Sequence, residues 1–337
     1  MKYPKENLNR LQARWTTTKG KRLIKKIKET RCYLSPILFR KVVQNFPYIN
    51  NEEVAEGVDL RGINLSGFDF RIPVLEDESG FEEELAILSF IHFEGAILKH
   101  STFQDGKVHD CFFEDADLTH ANFKGASLNT CSFHETDATD LLLSGASLIN
   151  CNFTDTIIRD INFSTVLCDQ NTIFSKKLKD EKAKNFHIAG IQYKQITEMY
   201  KNSSLHSQAD GYHYREMVCR RKTMKWYSPL RWLNLIFGDF SCKYGTSIIR
   251  ILAWMLVTIV GFATFYWLTQ HTLYHNTPVV LSYLDSLYFS LTTYTTVGYG
   301  DIHPIGDLRL LSGIEGMIGV ILTSLFTVIV ARKIIRD

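Results

Sequence analysis

Residues 111–140 read CFFEDADLTHANFKGASLNTCSFHETDATD. Every fifth position is apolar and usually large: Phe113, Leu118, Phe123, Leu128, Phe133, then Ala138. Two residues before each centre the side chain is small: Cys111, Ala116, Ala121, Ala126, Cys131. A period of five matches neither a helix at 3.6 nor a strand at 2. It matches a coil in which each five-residue unit makes one side of a square, with coils stacked on one another.

The pattern extends both ways. Phe93, Leu98, Phe103 and Val108 precede it, and Leu143, Leu148, Phe153, Ile158 and Phe163 follow, fifteen units in one register. Phe93, Phe113, Phe133 and Phe153 lie twenty apart, as do Phe103, Phe123, Leu143 and Phe163. Cys111, Cys131 and Cys151 share that interval and read as small buried residues, not as disulfides or ligands. Four units per coil would stack each series into an internal ladder. Leu60, Leu65 and Phe70 form an earlier set, and the acidic stretch 71–87 reads as an insertion loop. These residues resemble the pentapeptide-repeat family, whose fold is a right-handed quadrilateral β-helix.

Charge divides the chain. Residues 1–50 carry 13 Lys/Arg against 2 Asp/Glu (+11), and 51–175 carry 6 against 23 (−17). Residues 176–250 carry 15 against 6 (+9), and 251–337 carry 4 against 5 (−1). The shifts mark at least three regions. Some pentapeptide proteins mimic DNA and bind topoisomerases, and −17 permits that reading here. A rigid acidic cytoplasmic scaffold with an unknown protein partner competes with it, and nucleic acid itself is not an expected partner. The seven cysteines show no CxxC or Cys/His spacing, so no metal-binding cluster is expected. No nucleophile–base or paired-carboxylate arrangement stands out, so the chain does not read as an enzyme.

Before the repeats, Thr17 or Thr18 can cap a helix through Glu29, and Pro36 can open another over 37–43. This basic segment reads as a cap on the next domain, or as a patch for anionic lipid. The first 30 residues lack an apolar h-region, which places the N-terminus in the cytoplasm. After the repeats, two helices are expected at about 186–201 and 207–223. Their segment SQADGYHYREM resembles hairpins that join pentapeptide domains to two-helix pores in bacterial channel-like proteins. Trp226, Tyr227 and Trp232 among Lys222, Lys225 and Arg231 then suit a helix in the cytoplasmic membrane interface.

Residues 251–268 carry no charge over 18 positions, the length of a membrane helix, with Tyr266 and Trp267 as an outer aromatic belt. Residues 281–295 are amphipathic and too short to span, and 310–331 form a second span followed by Arg332, Lys333 and Arg336. No Lys or Arg lies between Arg250 and Arg309, so both termini fall in the cytoplasm.

Between the short helix and the second span lie Thr295, Thr296, Val297, Gly298, Tyr299, Gly300 and Asp301. Two glycines allow backbone angles that aim successive carbonyls at one axis, a lining for a dehydrated cation. TVGYG resembles the signature of potassium-channel selectivity filters. The region resembles a two-transmembrane potassium channel subunit with a re-entrant pore helix. The resemblance implies a homotetramer in the lipid of a bacterial inner membrane, with K+ as permeant ion and no cofactor. Thr296, Val297, Gly298, Tyr299 and Gly300 would then coordinate K+. Thr295, Asp301 and Tyr288 would support the filter, since Thr292 occupies the place of a pore-helix carboxylate that pairs with the aspartate in some bacterial pores. Gly319, with Gly316 as competitor, would be the inner-helix hinge, and Thr323, Thr327 and Ala331 would line the cavity. Glu315, an intramembrane carboxylate, reads either as a functional group or as a hydrogen-bonded group behind the pore helix. His271, His275 and His303 read as outer-loop residues, with or without a pH-sensing role.

The whole is therefore a multidomain chain: a basic helical cap (1–50), a β-helix (51–175), a helical-hairpin linker (176–226), an interfacial helix (227–243) and an all-α pore (244–337). The competing function is a membrane-tethered interaction scaffold, or a DNA mimic, with a non-conducting pore.

Overall fold

A large apolar residue at every fifth position is buried only if the chain turns after each one, and it does. In this computed structural model the N–H of Ala96 bonds to the carbonyl of Phe93 (2.9 Å), Ala116 to Phe113 (3.0 Å) and Ala126 to Phe123 (3.1 Å). The residue before each donor has positive φ: Gly95 at 65°, Asp115 at 54°, Gly125 at 67°, and likewise Asp105, Asp140 and Asp155. That is the geometry of a type II turn, where Gly, Asn and Asp cost least. Part of the domain's acidity is thus conformational, because aspartate fills the corners.

The structure describes residues 5–29, 58–70, 87–163, 165–269, 272–274, 277–278, 280–306 and 308–336. The helix expected at 37–43, nearly all of the insertion loop, and His271 and His275 lie outside the described residues. The chain forms two compact units, 1–223 and 224–337.

In the first unit, β1 (Val58–Asp59) pairs parallel with β3 (Ile91–His92). One wall is a parallel sheet of β2 (Ile87–Ser89), β4 (Lys107–His109), β5 (Ser127–Asn129), β6 (Ser147–Ile149) and β8 (Leu167–Cys168). Partners such as Leu88, Val108, Leu128 and Leu148 step by twenty, giving four turns from β2 to β8. Inside, Phe93 stacks on Phe113 at 5.2 Å, Phe113 on Phe133 at 5.0 Å, and Phe133 on Phe153 at 4.6 Å. The register changes at both ends. Val58 pairs with Ile91, a step of 33 (91 − 58), thirteen more than twenty. The extra residues fall between Phe70 and Ile87, and Phe70 still stacks on Phe103 at 4.2 Å. At the far end, β7 (Asn152–Phe153) pairs with β9 (Ile173–Phe174), a step of 21 (174 − 153). The Asp169 carboxylate holds the added residue, accepting from the Thr172 N–H (2.9 Å) and hydroxyl (2.7 Å). Cys111, Cys131 and Cys151 sit buried and donate to backbone carbonyls. Burial pushes the Cys111 thiol up to about 12, which keeps it unreactive.

Both ends of the solenoid are covered. Helices α1 (Lys5–Thr16) and α2 (Thr18–Glu29) meet at Thr17, whose hydroxyl caps the Gly20 N–H (3.1 Å). Trp15 donates its indole N–H to the Arg61 carbonyl (2.7 Å). Arg14 grips Asp59 with two bonds of 2.6 and 2.8 Å, and Arg61 closes on the same carboxylate. Burial alone would raise the Asp59 carboxyl, but the two guanidiniums overcome it and hold it well below the usual range. At the other end, α3 (Lys179–Lys182) leads to a hairpin of α4 (Phe186–Asn202) and α5 (His206–Thr223). Tyr200 and Tyr212 stack at 5.5 Å over the last coil and donate to the carbonyls of Thr172 (2.6 Å) and Phe174 (3.0 Å). The hairpin shares the solenoid's core and is not a free linker.

In the second unit, the basic aromatic segment is helical from Pro229 to Phe240: α6 (Pro229–Leu233) runs on into a π-helical stretch over Asn234–Phe240. Trp226, Tyr227, Leu230, Trp232 and Phe240 are all exposed. Two long apolar helices follow: α7 (Ile248–Thr269) and α9 (Leu308–Arg336). Only 11% and 22% of their most apolar windows are buried, so neither is the core helix of a soluble fold. Helix α8 (Tyr283–Tyr294) lies between them in sequence. Strands β10 (Thr272–Tyr274), β11 (Thr277–Pro278) and β12 (Ile302–Pro304) form a small antiparallel sheet.

Candidate functional site

The site grows from the end of α8. Ser282 caps the helix start reciprocally with Asp285, so the N-terminus is fixed. At the other end Thr295 is the C-cap, and the chain turns back instead of continuing. The N–H groups of Val297 and Gly298 bond to the Thr292 carbonyl (3.0 and 3.3 Å), and that of Thr296 to the Thr293 carbonyl (3.1 Å). The filter-like segment is thus tied by its own backbone to the negative end of a helix dipole.

Along that segment φ is positive at every second residue: Thr296 at 56°, Gly298 at 51° and Gly300 at 76°. Alternation of this kind lets neighbouring carbonyls face one way, where a regular strand would point them oppositely. Glycine explains two of the three positions. Thr296, which is β-branched, holds a conformation that such residues rarely adopt. Its side chain donates to the Thr295 carbonyl (2.7 Å). Val297 and Tyr299 are 54% and 72% exposed in the single chain, so the segment is not enclosed by its own subunit. The Tyr288 hydroxyl donates to Asp301 (3.0 Å), and its ring lies parallel to that of Tyr299 at 6.4 Å. The structure therefore brings Tyr288, Tyr299 and Asp301 together behind the turn.

Helix α9 runs unbroken through Gly316 and Gly319. A Cβ on Gly319 would overlap the Tyr294 carbonyl at 2.1 Å, and one on Gly316 would stand 3.5 Å from the Thr293 carbonyl. In this conformation Gly319 serves close approach of α9 to the end of α8, a demand that spacing alone does not announce, while a side chain at Gly316 would make only ordinary contact. Thr323, Thr327 and Ala331 are exposed along α9, and Thr327 bonds back to the Thr323 carbonyl (2.9 Å).

Glu315 is fully buried. Tyr266 of α7 donates to its Oε2 (2.8 Å), and Ser290 of α8 lies against its Oε1. Sequence reasoning placed Tyr266 in an aromatic belt, but its ring is 0% exposed. A buried tyrosine needs a partner for its hydroxyl, and the carboxyl supplies it. Ser290 was missed; the available signal was a lone serine inside the apolar run Leu287–Leu291. Among the described residues no group of His, Cys, Asp or Glu is placed to hold a metal ion.

The chain is similar to known proteins in both of its parts. The family described as "Ion channel" matches residues 254–336, and pentapeptide repeats match 96–134 and 131–164. Protein LctB of Bacillus caldotenax is 37% identical over 93 residues, covering 25% of this chain and 67% of that protein. Among solved structures, the pentapeptide repeat protein Rfr23 of Cyanothece 51142 is 20% identical, covering 36% of this chain and 86% of its own, with a TM-score of 0.24. HetL of Nostoc sp. strain PCC 7120, also a pentapeptide repeat protein, is 20% identical over 35% of this chain and 56% of its own, with a TM-score of 0.16.

Proposed function

We propose that this chain, which belongs to the two-transmembrane ion-channel family and carries pentapeptide repeats ahead of its channel domain, forms a potassium-selective pore of four identical subunits. The observation that carries the reading is TVGYG at 296–300 with alternating positive φ, held on the C-terminal carbonyls of α8 between two membrane-length helices. Carbonyls of Thr296 to Gly300 replace the hydration shell of K+, and each chain supplies one quarter of the ring. Thr295, Tyr288 and Asp301 brace the filter. Thr323, Thr327 and Ala331 line the inner cavity. Gly319 lets the inner helix seat against the pore helix, and Gly316 and Gly319 let it bend on opening. Exposed filter side chains are what a multi-subunit pore would cover. The protein sits in a bacterial inner membrane with both termini in the cytoplasm, where the acidic solenoid regulates or anchors the pore.

The test is flux from liposomes holding the purified full chain. K+ should pass in preference to Na+; equal permeation, or none from a folded tetramer, would sink the proposal. The solenoid's role is read by repeating the measurement without residues 1–223. That cut removes the first unit whole and leaves no uncovered coil.

A further inference from the structure

Glu315 joins three helices at one point. Its carboxyl meets the Tyr266 hydroxyl from α7 and the Ser290 hydroxyl from α8, while Ser290 Oγ also lies 2.9 Å from the Ile259 carbonyl on α7. The protons can be counted. A tyrosine or serine hydroxyl carries one proton, and a backbone carbonyl carries none. Tyr266 spends its proton on Oε2. Ser290 has one proton for two neighbours, the Ile259 carbonyl and Oε1. If Ser290 donates to the carbonyl, its contact with Oε1 needs a proton from Glu315. If it donates to Oε1 instead, a carboxylate stays buried at 0% exposure with no cation beside it among the described residues. An unpaired buried charge is far more costly than a neutral acid in the same place.

The surrounding groups favour the neutral acid. The charged residues of the three helices are Arg250 on α7, Asp285 on α8, and Arg309, Arg332, Lys333 and Arg336 on α9. All stand in the first or last turns, and Glu315 is six residues into the helix from Arg309, roughly 9 Å along its axis. The other titratable side chains of α8, Tyr283, Tyr288 and Tyr294, carry no positive charge.

We infer that Glu315 is a protonated carboxylic acid at neutral pH. It accepts from Tyr266 and donates to Ser290, which in turn donates to the Ile259 carbonyl. This chain of bonds fixes the pore helix between the outer and inner helices. Ser290 lies six residues before Thr296, on the helix whose end holds the filter. Glu315 is therefore a positioning residue for the filter, and the role attributed to it rests on the potassium-channel reading above.

Two measurements on the full chain separate that reading from this inference. Infrared spectroscopy at pH 7 should show a protonated-carboxyl C=O band that vanishes in Glu315→Gln; an unchanged spectrum overturns the neutral acid, whether or not the protein conducts. In liposomes, Glu315→Gln should keep K+ over Na+ selectivity, because its amide accepts and donates in the same two places. Glu315→Leu, with neither capacity, should lose about tenfold in selectivity. Wild-type selectivity in Glu315→Leu overturns the positioning role. Should the leucine variant not fold, Ser290→Ala decides: it removes the central link with little change of volume. A several-fold loss supports the role, and no loss overturns it. A wild-type protein that passes no K+ defeats the channel reading alone, since the infrared result stands apart from it.

Discussion

The two units solve the burial problem in opposite ways. The solenoid encloses its phenylalanine ladders at about 0–1% exposure and closes both ends with its own helices. The second unit leaves most of its apolar helical surface, and its filter segment, uncovered. The first unit is thus covered as a single chain, whereas the second leaves its apolar helices and its filter-like segment open. In the second unit the buried polar cluster around Glu315 is the part already satisfied within one chain.

If that contrast holds, damage in one unit should not cross to the other. The largest effect is expected from Gly298→Asp, which puts a carboxylate into the filter at a position whose φ is already 51°. K+ flux should fall to the level of empty liposomes, while circular dichroism of the solenoid stays unchanged; loss of both signals would break the comparison. Next is Phe133→Ala, in the middle of a ladder stacked on both sides. It should cost about 3–5 kcal/mol of solenoid stability in denaturant unfolding while K+ selectivity persists.

The repeat was legible almost in full, because a five-residue period admits one architecture and its side chains name the inside. The changes of register at Asp169 and between Phe70 and Ile87 were only partly legible: the second appeared as a broken pattern, the first did not appear at all. The corner aspartates were seen as charge and not as turn residues. In the second unit, the TVGYG string marked the candidate filter, and the contact of Tyr288 with Asp301 was reachable from it. Ser290 and the burial of Tyr266 were not, since a contact between residues 25 and 49 positions from Glu315 has no local signature.

A smaller effect sharpens the contrast through pH. Asp59 is depressed in the folded state by Arg14 and Arg61, so its stabilisation is fully present above the unfolded value of about 3.9 and is lost as pH falls toward the folded one. The solenoid's thermal midpoint should therefore drop from about pH 4 downward. Asp59→Asn should flatten that dependence and lower stability at pH 7; an unaltered slope would remove Asp59 as its cause. The smallest effect belongs to Tyr288→Phe. Losing its bond to Asp301 should cost about 1 kcal/mol, read as a modest fall in K+ over Na+ selectivity with normal folding.

The helical covers at the two ends of the solenoid have a consequence for solubility. A parallel coil presents a row of unpaired N–H and C=O groups at each terminus, a template onto which another molecule can add. The helices that bring Trp15 and Arg14 onto the Arg61 carbonyl at one end, and the paired tyrosines onto the Thr172 and Phe174 carbonyls at the other, cover those ends. A coil left open at either end would be placed to polymerise. Trimming residues 1–29 from the full chain should accordingly produce filaments that lengthen with protein concentration, and light scattering would register them.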